Sequence, residues 1–173
     1  MVTAAATVEE DRARAVAAAV ADPEMPMLTI ADLGVLRDVR VESEGVVVVT
    51  ITPTYSGCPA MATIRADIEY DLRAHGFVAV RVDTVLSPPW SSDWITPDGR
   101  RKLREHGYSP PGPAPARTGG PIPLTLTAPP RAVRCPYCGS AATELVSPFS
   151  ATACKALYRC RDCLEPFDHV KEI

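Results

Sequence analysis

Val46-Val47-Val48-Val49-Thr50-Ile51-Thr52-Pro53-Thr54-Tyr55-Ser56-Gly57-Cys58-Pro59 is the stretch that decides the fold. Its first half is a β-branched run, the composition of a buried strand. Pro53 ends the run, and Pro59 suits the first position of a helix. Met61, Ile64, Ile68 and Leu72 then recur at helical spacing as far as Gly76, a helix stop. The segment reads as strand, loop and helix, with Cys58 as the expected N-cap. Upstream, Val35, Val39 and Val41 alternate with Asp38, Arg40 and Glu42, and Ser43-Glu44-Gly45 turns that strand back into a hairpin. Before it, Val8, Ala15, Val16, Ala19 and Val20 predict a helix over Glu9–Ala21, which Asp22-Pro23-Glu24-Met25-Pro26 cannot continue. Downstream, Val78, Val80, Val82 and Leu86 alternate as a third strand, and Thr96-Pro97 opens a short helix that closes at Gly107. The order α-β-β-α-β predicts an α+β domain over residues 8–108, a small mixed three-stranded sheet with helices on one face.

The chain has 173 residues, of which 46% are hydrophobic and 23% charged, so a core is expected. Its formal charge of −3 argues against bulk binding to nucleic acid or to an anionic membrane. No apolar run approaches the roughly 18 residues of a membrane span. The first 21 residues lack the apolar core of a signal peptide, and Glu9, Glu10 and Asp11 do not suit a transit peptide, so a cytoplasmic protein is expected. The 18 prolines are concentrated. Eight of them, Pro110, Pro111, Pro113, Pro115, Pro121, Pro123, Pro129 and Pro130, fall within residues 109–130, which predicts an extended Pro/Gly-rich linker. Beyond it lies a Cys-rich tail, residues 131–173. No internal repeat is evident.

The tail holds Cys135-Pro136-Tyr137-Cys138 and Cys160-Arg161-Asp162-Cys163, two CxxC pairs separated by 21 residues. This is close to the spacing of four-thiolate zinc sites. Each CxxC turn presents two sulfurs, and two such turns close a tetrahedron. A segment this short buries too little apolar surface to fold alone, so structural zinc is expected to supply the missing free energy, as in a zinc ribbon. Two disulfides, or iron on the same four sulfurs, are the rival readings. Cys154 reads either as a small buried residue or as an auxiliary ligand or redox thiol. His169 follows the second pair but faces a site that already has four sulfurs.

Cys58 stands apart from the other five cysteines. The free N–H groups and dipole of a helix start favour a thiolate, and Gly57 permits close approach of a ligand or partner. A hydrolytic nucleophile would need a histidine base, and His75 and His106 fall at predicted helix C-termini. A lone thiolate without a base suits a soft metal, such as iron in a cluster, better than self-sufficient catalysis. A packed, inert cysteine is the alternative. Asp22 and Glu24, in the proline-stiffened break, read as hard ligands, a partner contact or a simple turn. Trp90, Trp94 and Tyr108 read as core or as a partner surface.

Three motifs together carry a resemblance: Asp22-Pro23-Glu24-Met25-Pro26, Asp32-Leu33-Gly34, and Thr52-Pro53-Thr54-Tyr55-Ser56-Gly57-Cys58-Pro59. They resemble the SufT-like family of iron–sulfur assembly proteins. Trp90 to Arg100, the segment Thr152 to Cys160 and Glu165-Pro166-Phe167-Asp168 extend the likeness to the PaaD branch of that family, which adds a C-terminal zinc ribbon and is encoded with bacterial phenylacetyl-CoA epoxidase. Met25 replaces a branched aliphatic residue. The resemblance implies the iron–sulfur assembly fold and an accessory, non-catalytic role in maturing the iron or iron–sulfur centre of that epoxidase. The implied partners are its reductase and its di-iron oxygenase subunits. On this reading Cys58 holds or hands over iron or a cluster, with a second copy of the chain as a further thiolate donor, and Asp22, Glu24 and Thr54 line its pocket. A bridging subunit without metal transfer remains the alternative. A nucleic-acid-binding ribbon fits the charge poorly, and a zinc hydrolase would need an open coordination position that four thiolates do not leave.

Overall fold

β1 (Leu36–Val41) and β2 (Val47–Ile51) pair antiparallel, and β2 pairs in parallel with β3 (Val80–Thr84) in the computed structural model, which describes residues 4–115 and 133–173. The register sets Val39, Val49 and Val82 side by side, and all three are buried. Arg40, Val48 and Arg81 form the next row, on the opposite face, where Glu42 reaches Arg81 at 2.9 Å. The parallel pair requires a crossover, supplied by α2 (Ala60–Ala74) with Ile64, Ile68 and Leu72 turned inward. The first helix, α1 (Ala4–Ala18), buries Ala13 and Ala17 and packs against both β1 and α2. Both helices thus cover one face of the three-stranded sheet, as the residue pattern predicts.

α1 is shifted toward the N-terminus relative to the expected Glu9–Ala21. Ala4, Ala5 and Ala6 are strong helix formers and extend its start. Its end is set by tertiary pairing: Ala21 bridges antiparallel to Thr29, and the Asp22 N–H donates to Leu28 O at 2.9 Å. Asp32 ties this region down. It accepts the Thr29 N–H at 2.9 Å and meets Lys102 Nζ at 2.7 Å. Trp90 is core, 4% exposed, with its indole N–H donating to Leu33 O at 2.9 Å. Trp94 is half-buried, with the Arg37 guanidinium 3.6 Å above its ring.

The short helix α3 (Pro97–Glu105) crosses the division between two compact units, Met1–Lys102 and Leu103–Ile173. The second unit is a four-stranded sheet of order β4-β7-β6-β5, made of β4 (Tyr108–Ser109), β5 (Thr143–Ser147), β6 (Lys155–Cys160) and β7 (Pro166–Val170). Tyr108-Ser109 pairs in parallel with Asp168-His169. Buried polar groups hold it there. His169 lies 3.2 Å from Ser109 O through Nδ1 and 3.4 Å from Glu172 through Nε2, and Glu172 accepts the Gly112 N–H at 3.0 Å. A two-residue strand has no alternation to read, which is why the sequence pattern is silent about it. The remainder of the expected linker, residues 116–130, and Arg131 lie outside the described residues. Among the described residues no helix is long and apolar enough to cross a membrane.

Gly34 has φ +68°, and a Cβ there would come within 2.6 Å of Trp94 Cβ. Gly34→Ala should lower the urea unfolding free energy by more than about 1 kcal/mol, since strain and overpacking act together. Burial pushes the Asp32 carboxyl up, but Lys102 and Thr29 draw it further down, below the ordinary carboxylate range. Its stabilising contribution is then present above about pH 4 and is lost as pH falls through the lower folded-state value. Asp32→Asn should reduce stability at pH 7 and flatten the acid limb of a stability–pH profile.

Candidate functional site

The Cys-rich unit brings its two thiol pairs together by strand pairing. Cys160 ends β6, opposite Thr143 of β5, and the first pair lies in the turn just before β5. Cys135 and Cys163 sulfurs are 3.6 Å apart, as are those of Cys138 and Cys160, and all four lie within 4.8 Å of one another. A disulfide requires about 2.05 Å, so the sulfurs are not bonded. Four Zn–S bonds of about 2.3 Å in a tetrahedron give sulfur–sulfur edges of about 3.8 Å, and the observed separations fit that edge. Cys135 and Cys160 are buried with Val133 and Phe167 in the small core of this unit, and Tyr158 stacks on Phe167. Cys138 and Cys163 face outward.

Hydrogen bonds among the thiols and their knuckle N–H groups split their proton affinities. The Cys163 backbone N–H holds Cys160 down at about 7. The Glu165 N–H pulls the Cys163 thiol down, but burial and the sulfurs of Cys160, Cys138 and Cys135 push it further up, to about 12. A cation bound among the four sulfurs would replace the protons that the raised thiols keep. The donor set fits a soft or borderline divalent ion such as zinc.

The two knuckles are copies of one short unit, contrary to the expectation of no internal repeat. Arg134-Cys135-Pro136-Tyr137-Cys138-Gly139 and Arg159-Cys160-Arg161-Asp162-Cys163-Leu164 share the pattern Arg-Cys-x-x-Cys followed by a residue at positive φ. In the first, Arg134 donates to Gly139 O at 3.2 Å; in the second, Arg159 donates to Leu164 O at 3.3 Å. Gly139 has φ +76° and Leu164 φ +66°. A left-handed leucine costs roughly 1–2 kcal/mol that glycine avoids. The arginine before each pair is visible in the sequence, but Leu in place of Gly after the second pair hides the repeat.

Cys154 is 8% exposed, with its sulfur 3.1 Å from Thr152 Oγ1, and lies outside the sulfur group, as does the buried His169. His75 is the C-cap of α2, with Nδ1 2.7 Å from Asp71 O. His106 follows α3 and, with Tyr108, Tyr137, Phe167 and Asp168, lines a groove of about 280 Å³ in the second unit.

In the first unit, Cys58 is half-buried in the turn between β2 and α2. It is one position further from the helix than expected, because Pro59, with φ −67° and ψ −26°, is itself the N-cap. Its carbonyl accepts the Met61 N–H at 3.3 Å. Backbone hydrogen bonds bring the Asp22 turn to the same end of the sheet: Thr52 N–H to Val35 O, Val35 N–H to Ile30 O, and Ile30 N–H to Val20 O. Asp22 is 7% exposed, and its Oδ1 accepts the N–H groups of Glu24 at 2.9 Å and Met25 at 2.8 Å, which makes it the latch of a tight turn. Glu24 and Thr54 are half-buried. Asp22, Glu24 and Cys58 do not gather into a ligand group; among the described residues the four cysteines of the ribbon are the only cluster of three or more such side chains. Thr52, which the sequence does not single out, opens the Cys58 loop with a buried hydroxyl that has no hydrogen-bond partner.

A family model described as iron–sulfur cluster assembly protein matches residues 10–83, and one described as PaaD zinc beta ribbon domain matches residues 120–171. An Escherichia coli protein named as a putative subunit of 1,2-phenylacetyl-CoA epoxidase is 49% identical over 150 residues, 87% of this chain and 85% of that protein. The chain belongs to the PaaD family. Its PaaD-type first unit is also 33% identical over 83 residues to an Fe-S protein maturation auxiliary factor of Porphyromonas gingivalis, covering 47% of this chain and 78% of that protein. The crystal structure of a domain of unknown function, DUF59, from Bacillus anthracis shares the PaaD first-unit fold, with 29% identity, a TM-score of 0.53, and coverage of 57% of this chain and 94% of that one.

The four-sulfur geometry makes a direct prediction. The purified protein should contain about one zinc per chain. Chelation should abolish amide protection across β5, β6 and β7 while leaving that of β1, β2 and β3, as read by hydrogen exchange.

Proposed function

We propose that the chain is a non-catalytic accessory subunit of a phenylacetyl-CoA epoxidase system, and that it matures the iron or iron–sulfur centre of the reductase or oxygenase. The observation that carries this reading is the division among sulfurs. Cys135, Cys138, Cys160 and Cys163 form a complete tetrahedral donor set with no open position, whereas Cys58 stands half-exposed at a strand-to-helix turn. Zinc in the ribbon supplies folding energy and a fixed shape, and those four residues hold it. Cys58 is the thiolate that meets iron as cargo. A single thiolate outside the four-sulfur cluster binds a cluster less tightly than four do, and weaker binding suits transfer. The remaining ligands come from a second copy of the chain or from the client. Asp22 keeps the neighbouring turn rigid, and Thr54 and Glu24 flank the approach. The family match to iron–sulfur assembly proteins and the name of the Escherichia coli relative support the role.

A bridging subunit without metal transfer is the second reading, favoured by the share of the chain given to the ribbon. Cys58→Ser separates the two. The variant should fold and bind zinc as the wild type does, yet reductase and oxygenase co-produced with it in cells should carry several-fold less iron. Full metal loading beside the variant, with the assembly intact, would establish the bridging role instead.

A further inference from the structure

We infer that the outer edge of β3 is a self-association surface, and that its occupant is β3 of a second copy of the chain, paired antiparallel about a two-fold axis at Val82.

The two edges of the first sheet are treated unequally. β1 and β3 are its edge strands. The β1 edge is blunted by α1: Arg14 donates to Val39 O at 2.6 Å, and Glu10 accepts the Val41 N–H at 3.3 Å. An open edge is a template for another strand, which is why proteins cover it. β3 has no such cover. It packs against β2 and α2, and no other helix or strand of the described residues packs against it. Ala79 O accepts the Val47 N–H and the Val85 N–H donates to Ile51 O, so the odd-numbered residues of this segment bond inward to β2. The N–H and C=O groups of Val80, Val82 and Thr84 therefore point away from the sheet.

The sequence of this edge is complementary to itself. Antiparallel pairing about Val82 sets Val80 opposite Thr84 of the second copy, and Arg81 opposite its Asp83. Val80, Val82 and Thr84 carry the outward groups, so their pairs exchange both N–H···O bonds. Arg81 and Asp83 fall at the intervening positions, where side chains of opposite strands approach most closely. Arg81 is held on this face by Glu42 at 2.9 Å and Asp83 at 3.4 Å, ready for a further carboxylate. An axis at Arg81 or at Asp83 would set like charges face to face, so charge selects the axis at Val82. The same axis sets Val78 opposite Leu86 of the second copy. Val78 is 93% exposed and Leu86 61% exposed, and in this register each covers the other.

The pairing joins two three-stranded sheets into one and removes both open β3 edges. It puts the carboxyl ends of the two β2 strands at opposite ends of the joined sheet, so the two Cys58 turns are kept apart. On the maturation reading each Cys58 then faces its own client, and the client supplies the remaining ligands. The pairing itself does not depend on that reading.

Sedimentation velocity of the reduced, full-length protein over a wide range of concentration tests the pairing. The wild type should pass from monomer to dimer. Hydrogen exchange should show the amides of Val80, Val82 and Thr84 gaining protection over the same range. Val80 begins the strand and its N–H points outward, so Val80→Pro should keep the fold, zinc content and thermal midpoint of the wild type. It should weaken dimerisation by about tenfold or more. Arg81→Asp sets like charges opposite each other, and so does Asp83→Arg, so neither variant should dimerise alone. Mixed together, they offer opposite charges at both pairs and should associate. A wild type that stays monomeric, a Val80→Pro dimer as tight as wild type, no gain of protection along β3, or folded charge variants that fail to associate when mixed would each overturn the inference. The iron content of client proteins beside Cys58→Ser is a separate readout, so loss of self-association and loss of the maturation role are told apart.

Discussion

Parallel pairing of β2 with β3 is the constraint on which the first unit depends. Two parallel neighbours cannot be joined by a tight turn, so the chain must leave the end of β2, cross the sheet in a helix and return. That crossover puts residues 52–59 at the carboxyl end of β2 and aims the start of α2 at the same place. Such strand ends are where open sheets of this kind leave room for ligands. Ile51 and Leu36 are register partners, and the bonds from Thr52 back through Val35 and Ile30 to Val20 draw the Asp22 turn to the same end. The position of Cys58 is therefore a consequence of topology, with Pro53 and Pro59 marking where strand gives way to loop and loop to helix.

The second unit is held together differently. One cluster of its core joins Val133, Phe167 and Tyr158 to Cys135 and Cys160. A unit of this size buries a small share of its apolar surface relative to the conformational entropy of ordering it. A metal held by the four clustered thiolates would supply further folding free energy. The buried pairs around β7, Lys155 with Asp168 at 3.7 Å and His169 with Glu172, then specify how the short strand β4 attaches. The division between a sulfur cluster that makes shape and a solitary sulfur that meets cargo is what the proposed maturation role requires.

Much of this is legible in one dimension because it depends on local chemistry. The strand Val47–Ile51, the helix face Ile64-Ile68-Leu72 and the CxxC pairs each follow from residue type and spacing. The start of α2 differs by one residue from the expected one because Pro59 adopts helical angles while Ala60 is the first residue counted as helix. α1 differs for a stronger reason: its end is decided by the Ala21–Thr29 bridge, a pairing the helical pattern does not encode. Asp22 has the residue type of a ligand or a contact, but its carboxylate binds the N–H groups of its own turn.

Taken alone, the order of residues determined the α-β-β-α-β elements of the first unit, the pairing of four cysteines into one cluster and the separation of Cys58 from them. These are properties of short segments, governed by backbone sterics, side-chain periodicity and the affinity of thiolates for soft cations. Only the tertiary structure decided that Thr52 has an orphaned hydroxyl, that Tyr108-Ser109 is a strand of the ribbon sheet, and that Leu164 occupies a glycine's conformation on an exposed rim. Each of these depends on which distant groups exclude water or supply a partner, and that is settled when the chain packs.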